Sequence, residues 1–171
     1  MTKPYRDALS LSSKALRYLI TLNWLFGAAV LGMLVCTLVA PAWVARALGA
    51  GEDPRMLLGM RLIMGIGVAA APVANVVFSR LLSIVDTVRA GDPFITRNAS
   101  RLQTIAWAVL ALELGRLLVA GIASAVSSPA RPIHIDFDLS VTPWLSVLLL
   151  FVLARVFEHG ARMRDELEGT V

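Results

Sequence analysis

Gly91-Asp92-Pro93-Phe94-Ile95-Thr96-Arg97-Asn98-Ala99-Ser100-Arg101-Leu102 is the stretch on which the fold turns, because long apolar runs lie on both sides of it and charge gathers inside it. Upstream, Leu81, Leu82, Ile84, Val85 and Val88 keep helical spacing around Arg80, Asp86 and Arg89, so the preceding apolar helix is expected to run past the hydrocarbon into water. Gly91 stops it, since glycine takes the left-handed conformation that follows a helix end, and Pro93 cannot continue a helix. A new helix is expected from about Thr96, read as its N-cap, and it enters the next apolar run at Leu102. The stretch therefore reads as a sharp turn between two membrane helices, packed by Phe94, within a charged hinge over 79–104.

Composition agrees with that reading. A chain of 171 residues fits one domain, and 57% of it is hydrophobic while only 16% is charged. Its mean hydropathy is +0.73, and soluble proteins average about 25% charged residues. This is the composition of an integral membrane protein, whose first partner is the lipid bilayer. The net charge of +4 and pI near 10.0 would suit a nucleic-acid binder. Lys and Arg flank the apolar runs instead of forming a patch with interleaved aromatics, so no direct nucleic-acid binding is expected. Cys36 is the single cysteine and lies within an apolar run, which leaves no disulfide framework and no Cys-based metal motif.

Four spans follow from hydropathy: about Tyr18 to Val39, Leu57 to Phe78, Ile105 to Ser124 and Pro143 to Phe157. The first has roughly 20 almost uncharged residues, enough for about 30 Å of hydrocarbon and longer than the apolar region of a cleaved signal peptide. Pro41 to Met56, with Gly49, Gly51, Glu52, Asp53, Pro54 and an interfacial Trp43, reads as an outer loop. In the second span Gly67 and Ala71 are four apart and permit close helix approach, while Pro72 should kink the helix. Asn23 and Asn75 are expected to bond between helices. The tail from Glu158 reads as a charged helix leaving the membrane.

Alternating spans allow the basic residues to be counted by side. Lys3, Arg6, Lys14, Arg17, Arg80, Arg89, Arg97, Arg101, Arg155, Arg162 and Arg164 fall on one side, and Arg46, Arg55, Arg61 and Arg131 on the other. Eleven against four places both termini and the hinge in the cytoplasm by the positive-inside rule, and Arg116 is left inside the membrane.

The third span carries Glu113 and Arg116, three apart and so on one helix face near mid-bilayer. An isolated charge there costs several kcal/mol, so each is expected to face the interior of the bundle with a partner. A structural ion pair is the preferred reading over a ligand or proton site. Arg61 either joins this pair or snorkels to the outer headgroups, with snorkelling favoured. Between the third and fourth spans, Ile133-His134-Ile135-Asp136-Phe137-Asp138-Leu139-Ser140-Val141 alternates polar and apolar residues, which predicts a short extracytoplasmic strand. His134, Asp136 and Asp138 share one face of that strand and make a weak metal candidate, since the alternation alone would generate their spacing. The expected fold is an all-α membrane protein, a single four-helix domain with this one β segment. No cofactor is expected.

Two charged motifs carry a resemblance. Gly91-Asp92-Pro93-Phe94 with Asn98-Ala99 and Arg101-Leu102, together with the tail Ala154-Arg155-Val156-Phe157-Glu158-His159-Gly160-Ala161 and Leu167-Glu168-Gly169-Thr170-Val171, resembles the bacterial membrane-protein family catalogued as domain of unknown function 2975. The likeness covers essentially the whole chain; Arg97 departs from it, standing where an acidic residue is expected before the asparagine. The resemblance implies a four-span helical protein of the bacterial inner membrane without an established enzymatic activity. It also implies a gene neighbour encoding a small helix-turn-helix DNA-binding regulator.

No phosphate loop, His-Glu-x-x-His, cysteine pair or intramembrane serine with a plausible base is present, so an enzyme is not expected. Two readings remain. In the preferred one the hinge (Arg89, Asp92, Phe94, Arg97, Arg101) and the tail (Glu158, Arg162, Arg164) form a cytoplasmic platform that holds the soluble regulator at the membrane. In the other, the chain is a small transporter or channel with Glu113 and Arg116 in its path, working as a homo-oligomer because four spans enclose little room.

Overall fold

The computed structural model describes residues 3–47, 53–127 and 140–168, and all the regular structure among them is helical. The elements in chain order are α1 (Lys3–Val39), α2 (Pro41–Ala47), α3 (Pro54–Arg89), α4 (Thr96–Val126) and α5 (Val141–Glu168). Four of these, α1, α3, α4 and α5, are long and apolar enough to cross a membrane. The chain is a multi-pass membrane protein.

Each long helix exceeds its apolar stretch. The 37 residues of α1 and the 36 of α3 extend about 55 Å at 1.5 Å per residue, whereas the hydrocarbon is about 30 Å thick. The surplus of α3 continues as helix through Arg80, Asp86 and Arg89, as the helical spacing through Val88 predicts. At its other end α3 begins at Pro54, whose missing N–H costs nothing in a first turn, and Asp53 caps it by accepting from the Arg55 amide at 2.9 Å. Part of the expected outer loop is thus helical: α2 occupies Pro41–Ala47 and α3 starts before Leu57.

The strand expectation is corrected at its one described end. Residues 133–139, with His134, Asp136 and Asp138, lie outside the described residues, and among those described there is no strand. Val141, read from the alternation as the last strand residue, is instead the first residue of α5. Pro143 sits in the first helical turn, where its ring displaces no hydrogen bond, and the Ser140 hydroxyl accepts from the Thr142 amide at 3.4 Å. Turn chemistry at this point outweighs a two-residue alternation.

Helix packing follows chain order: α1 lies on α3, α3 on α4, and α4 on α5. No packed interface joins α1 to α5 among the described residues, so the four pack as an open row. Small residues set the spacing. A Cβ on Gly27 of α1 would stand 2.8 Å from that of Ala71 on α3, so the two backbones approach as closely as this pair allows. On α5 the buried residues Val147, Ala154 and Ala161 recur every seventh position, a stripe of modest side chains that seats the helix on α4. Asn23 of α1 donates to the carbonyl of Ala71 at 2.9 Å, directly before Pro72. Asn75, expected to bond likewise, keeps its Oδ1 buried without a partner.

Candidate functional site

The turn between α3 and α4 is locked from within. Gly91 has φ +93°, a value strained for any residue with a Cβ. Its amide donates to Val88 O at 3.1 Å and that of Asp92 to Thr87 O at 3.1 Å, the paired bonds of a Schellman helix end. Thr96 does not cap α4: the N-cap is Ile95, with no side-chain cap, and Thr96 is the first helical residue. The capping role passes to a deeper network. Asn98, completely buried, donates through Nδ2 to Thr87 Oγ1 and to Pro93 O, both at 2.8 Å, and its Oδ1 accepts from Arg101 Nη1 at 2.8 Å. Arg101 Nη1 also donates to Ser83 O of α3 at 3.0 Å. Burial, then repulsion from Arg97 and Arg80, lowers the Arg101 pKa from its ordinary value, and Asp86 opposes them.

The tail of α5 is tied to this turn at two points. Asp92 Oδ1 accepts from Arg164 Nη1 at 2.7 Å, a contact between residues on different elements. Phe94 stacks at a tilt on Phe157 with 5.1 Å between ring centroids, and a Cβ on Gly160 would come within 3.2 Å of the Phe94 ring. Phe94 therefore joins the turn to α5. Beyond Phe157, Glu158 accepts from Arg155 at 3.0 Å and Arg162 at 2.6 Å. Arg155 first and Arg162 next hold its carboxyl below the ordinary carboxylate range.

Inside the membrane Glu113 is buried, on the α4 face that also holds Ala106, Ala120 and Ala123. Arg116 grips it with Nε at 3.1 and 3.0 Å from the two carboxylate oxygens and Nη2 at 2.7 Å from Oε1. The Arg116 side chain is 40% exposed and lines an apolar crevice of about 460 Å³ between α3 and α4, with Ile66, Gly67, Val73 and Gly115.

Arg61 does not join the Glu113–Arg116 pair; its Nη2 donates to Thr37 O near the end of α1 at 2.5 Å, and its Nε is buried without a partner. The cause is Pro41. A helical carbonyl at Thr37 would normally accept from the amide four residues on, and proline has none. The guanidinium of α3 fills that vacancy at a helix end whose dipole favours positive charge.

The structure thus brings together Asp92 with Arg164, Phe94 with the tail, and Glu113 with Arg116. It leaves Arg89 and Arg97 exposed at the turn and Arg162 largely exposed, and it turns Arg101 inward. Asn98 stands in the motif that carries the family resemblance, but its bonding to Thr87, Pro93 and Arg101 is not read from sequence; an asparagine three residues before an arginine at a helix start is the only local signal of it.

A family model described as a protein of unknown function (DUF2975) matches residues 60–171. The chain belongs to this family. The DUF2975 match begins within α3 and takes in the turn, α4 and α5, so Arg61, the Asn98 network, the Glu113–Arg116 pair and the tail contacts all fall inside it. No curated protein and no solved structure matches the chain.

Proposed function

We propose that this is a regulatory protein of the bacterial inner membrane, with both termini and the α3–α4 turn in the cytoplasm, that binds or sequesters a small helix-turn-helix transcriptional regulator on the face shared by that turn and the tail of α5. The observation that carries the reading is the joining of two charged segments 72 residues apart by the Asp92–Arg164 ion pair, reinforced by Phe94 on Phe157. A pair exposed to water contributes at most about 1 kcal/mol to stability; what it does here is hold one continuous surface. The count of basic residues supports the orientation. The partner expected with the family supports the kind of protein bound.

Docking falls to Arg89, Arg97 and Arg162, which stand out from the surface, and Arg101 serves the fold. A regulator held at the bilayer has less access to DNA. A shift of α3 against α4 reaches the face through Asn98 and Arg101, which bridge those helices. The test is co-purification of the neighbouring regulator with the full chain from membranes. Arg89→Glu with Arg97→Glu should weaken association about tenfold or more and change expression of the regulator's targets at unchanged membrane levels of this protein. If the regulator does not associate with the wild-type chain, or the double reversal leaves association intact, the docking reading is wrong.

A transport reading has one specific observation in its favour, the Glu113–Arg116 pair beside the α3–α4 crevice. It requires solute flux in proteoliposomes that falls when Glu113 is replaced.

A further inference from the structure

We propose that the groove between α4 and α5 next to the turn is a binding site for one phospholipid with an anionic headgroup. The groove has a volume of about 490 Å³ and changes character along its length. At the end toward the turn it presents Thr96, Ser100, Gln103 and Arg155; at the end toward the membrane it is floored by Phe151 and Val152. The edge-to-face pair of Trp107 and Phe151, 5.4 Å between centroids, closes that apolar end. Seven residues separate Phe151 from Glu158, about 10 Å along the helix, which matches the passage from acyl chains through the headgroup layer of one leaflet.

Charge decides which headgroup. Glu158 also lines the groove, but it is shared by two guanidiniums, Arg155 and Arg162, whose side chains are 80% and 68% exposed. The trio is net positive by one and keeps donors to spare, because one carboxylate cannot saturate two forks. Thr96, Ser100 and Gln103 have no side-chain partner among the described residues. Hydroxyls, an amide and a guanidinium around an apolar floor are the complement of a phosphodiester with its glycerol and acyl chains. From there the chains run on over Leu148 and Leu145, both exposed on α5 at helical spacing from Val152. A zwitterionic headgroup would bring its own cation against Arg155. This site needs only the membrane embedding of the helices; it shares Glu158 and Arg162 with the docking face but does not depend on a regulator being bound there.

The test is native mass spectrometry of the full chain in mild detergent, with 1-palmitoyl-2-oleoyl phosphatidylglycerol or the matching phosphatidylcholine added, and no regulator present. The expected result is one retained phosphatidylglycerol per chain, about fivefold to tenfold tighter than phosphatidylcholine. Gln103→Leu and Arg155→Gln should each lower that retention several-fold, with helix content unchanged by circular dichroism. Arg89→Gln, at a cation outside the groove, should leave it unchanged. Should either groove variant lose helix content, Ser100→Leu, at an exposed helical position, stands in for it. Equal retention of the two lipids, or equal losses for the groove variants and Arg89→Gln, overturns the proposal.

Discussion

Asn98 concentrates more of the fold than any charged residue near it. Its amide satisfies Thr87, Pro93 and Arg101 at once and is completely buried. Replacing it by alanine removes the donor to the Pro93 carbonyl and to Thr87 Oγ1 and one acceptor of Arg101, leaving Thr87 its bond to Ile84 O and Arg101 its bond to Ser83 O. Asn98→Ala is therefore expected to cost about 2–4 kcal/mol, seen as a lower melting temperature of the detergent-solubilised protein, with Arg97→Ala close to neutral. Glu113 and Arg116 behave differently, because they bond directly to each other three residues apart on one helix. Glu113→Ala removes the carboxylate that Arg116 grips within the membrane and should destabilise by about 3 kcal/mol or more, while the double replacement Glu113→Ala with Arg116→Ala should recover part of that loss. A double variant worse than the sum of the singles would contradict stabilisation of each by the other.

Among the elements, the ends of α1 and α3 are decided by backbone chemistry. Gly91 at φ +93° gives a direct expectation: Gly91→Ala should cost about 1–2 kcal/mol, with nothing within 4 Å of the new Cβ to blame for it. At the end of α1, Arg61 answers a carbonyl that Pro41 leaves open. Arg61→Leu should destabilise the α1–α3 pair, and Pro41→Ala should soften that effect by returning an amide to Thr37. A thermodynamic cycle over these two positions, 20 residues apart in sequence, is expected to show coupling of about 0.5–2 kcal/mol. Additive effects would mean that Arg61 does not serve as the cap of α1.

For the molecule as a whole, the row arrangement makes a prediction that a closed bundle would not. In a Cys36→Ser background, Val30→Cys with Gly67→Cys should crosslink within one chain, since a Cβ at Gly67 would lie 3.6 Å from the Val30 side chain. Leu25→Cys with Leu149→Cys, on exposed faces of α1 and α5, should give no crosslink within one chain. Bands of doubled mass from the second pair would report contact between copies, and an internal crosslink there would show a ring of helices in place of the row.

The number of spans, their approximate places and the stop at Gly91 to Pro93 were legible because each depends on near neighbours in the chain: hydropathy summed over a window, a glycine able to take positive φ, a proline without an amide. The Glu113–Arg116 pair was legible for the same reason, three residues apart on one helix. What local spacing could not assign was the fate of chemically alike residues. Arg97 and Arg101 share a helix start, yet one is exposed and the other is bonded to Ser83, 18 residues back, because α4 lies against α3 along the second and not the first. Arg61 finds its acceptor 24 residues earlier, and Asp92 meets Arg164 only once α5 has packed on α4. Those pairings, and the open order of the helices, exist only when whole faces have met. A side chain's partner is set by which backbone stands across from it, and that is a property of packing, not of the run of residues on either side.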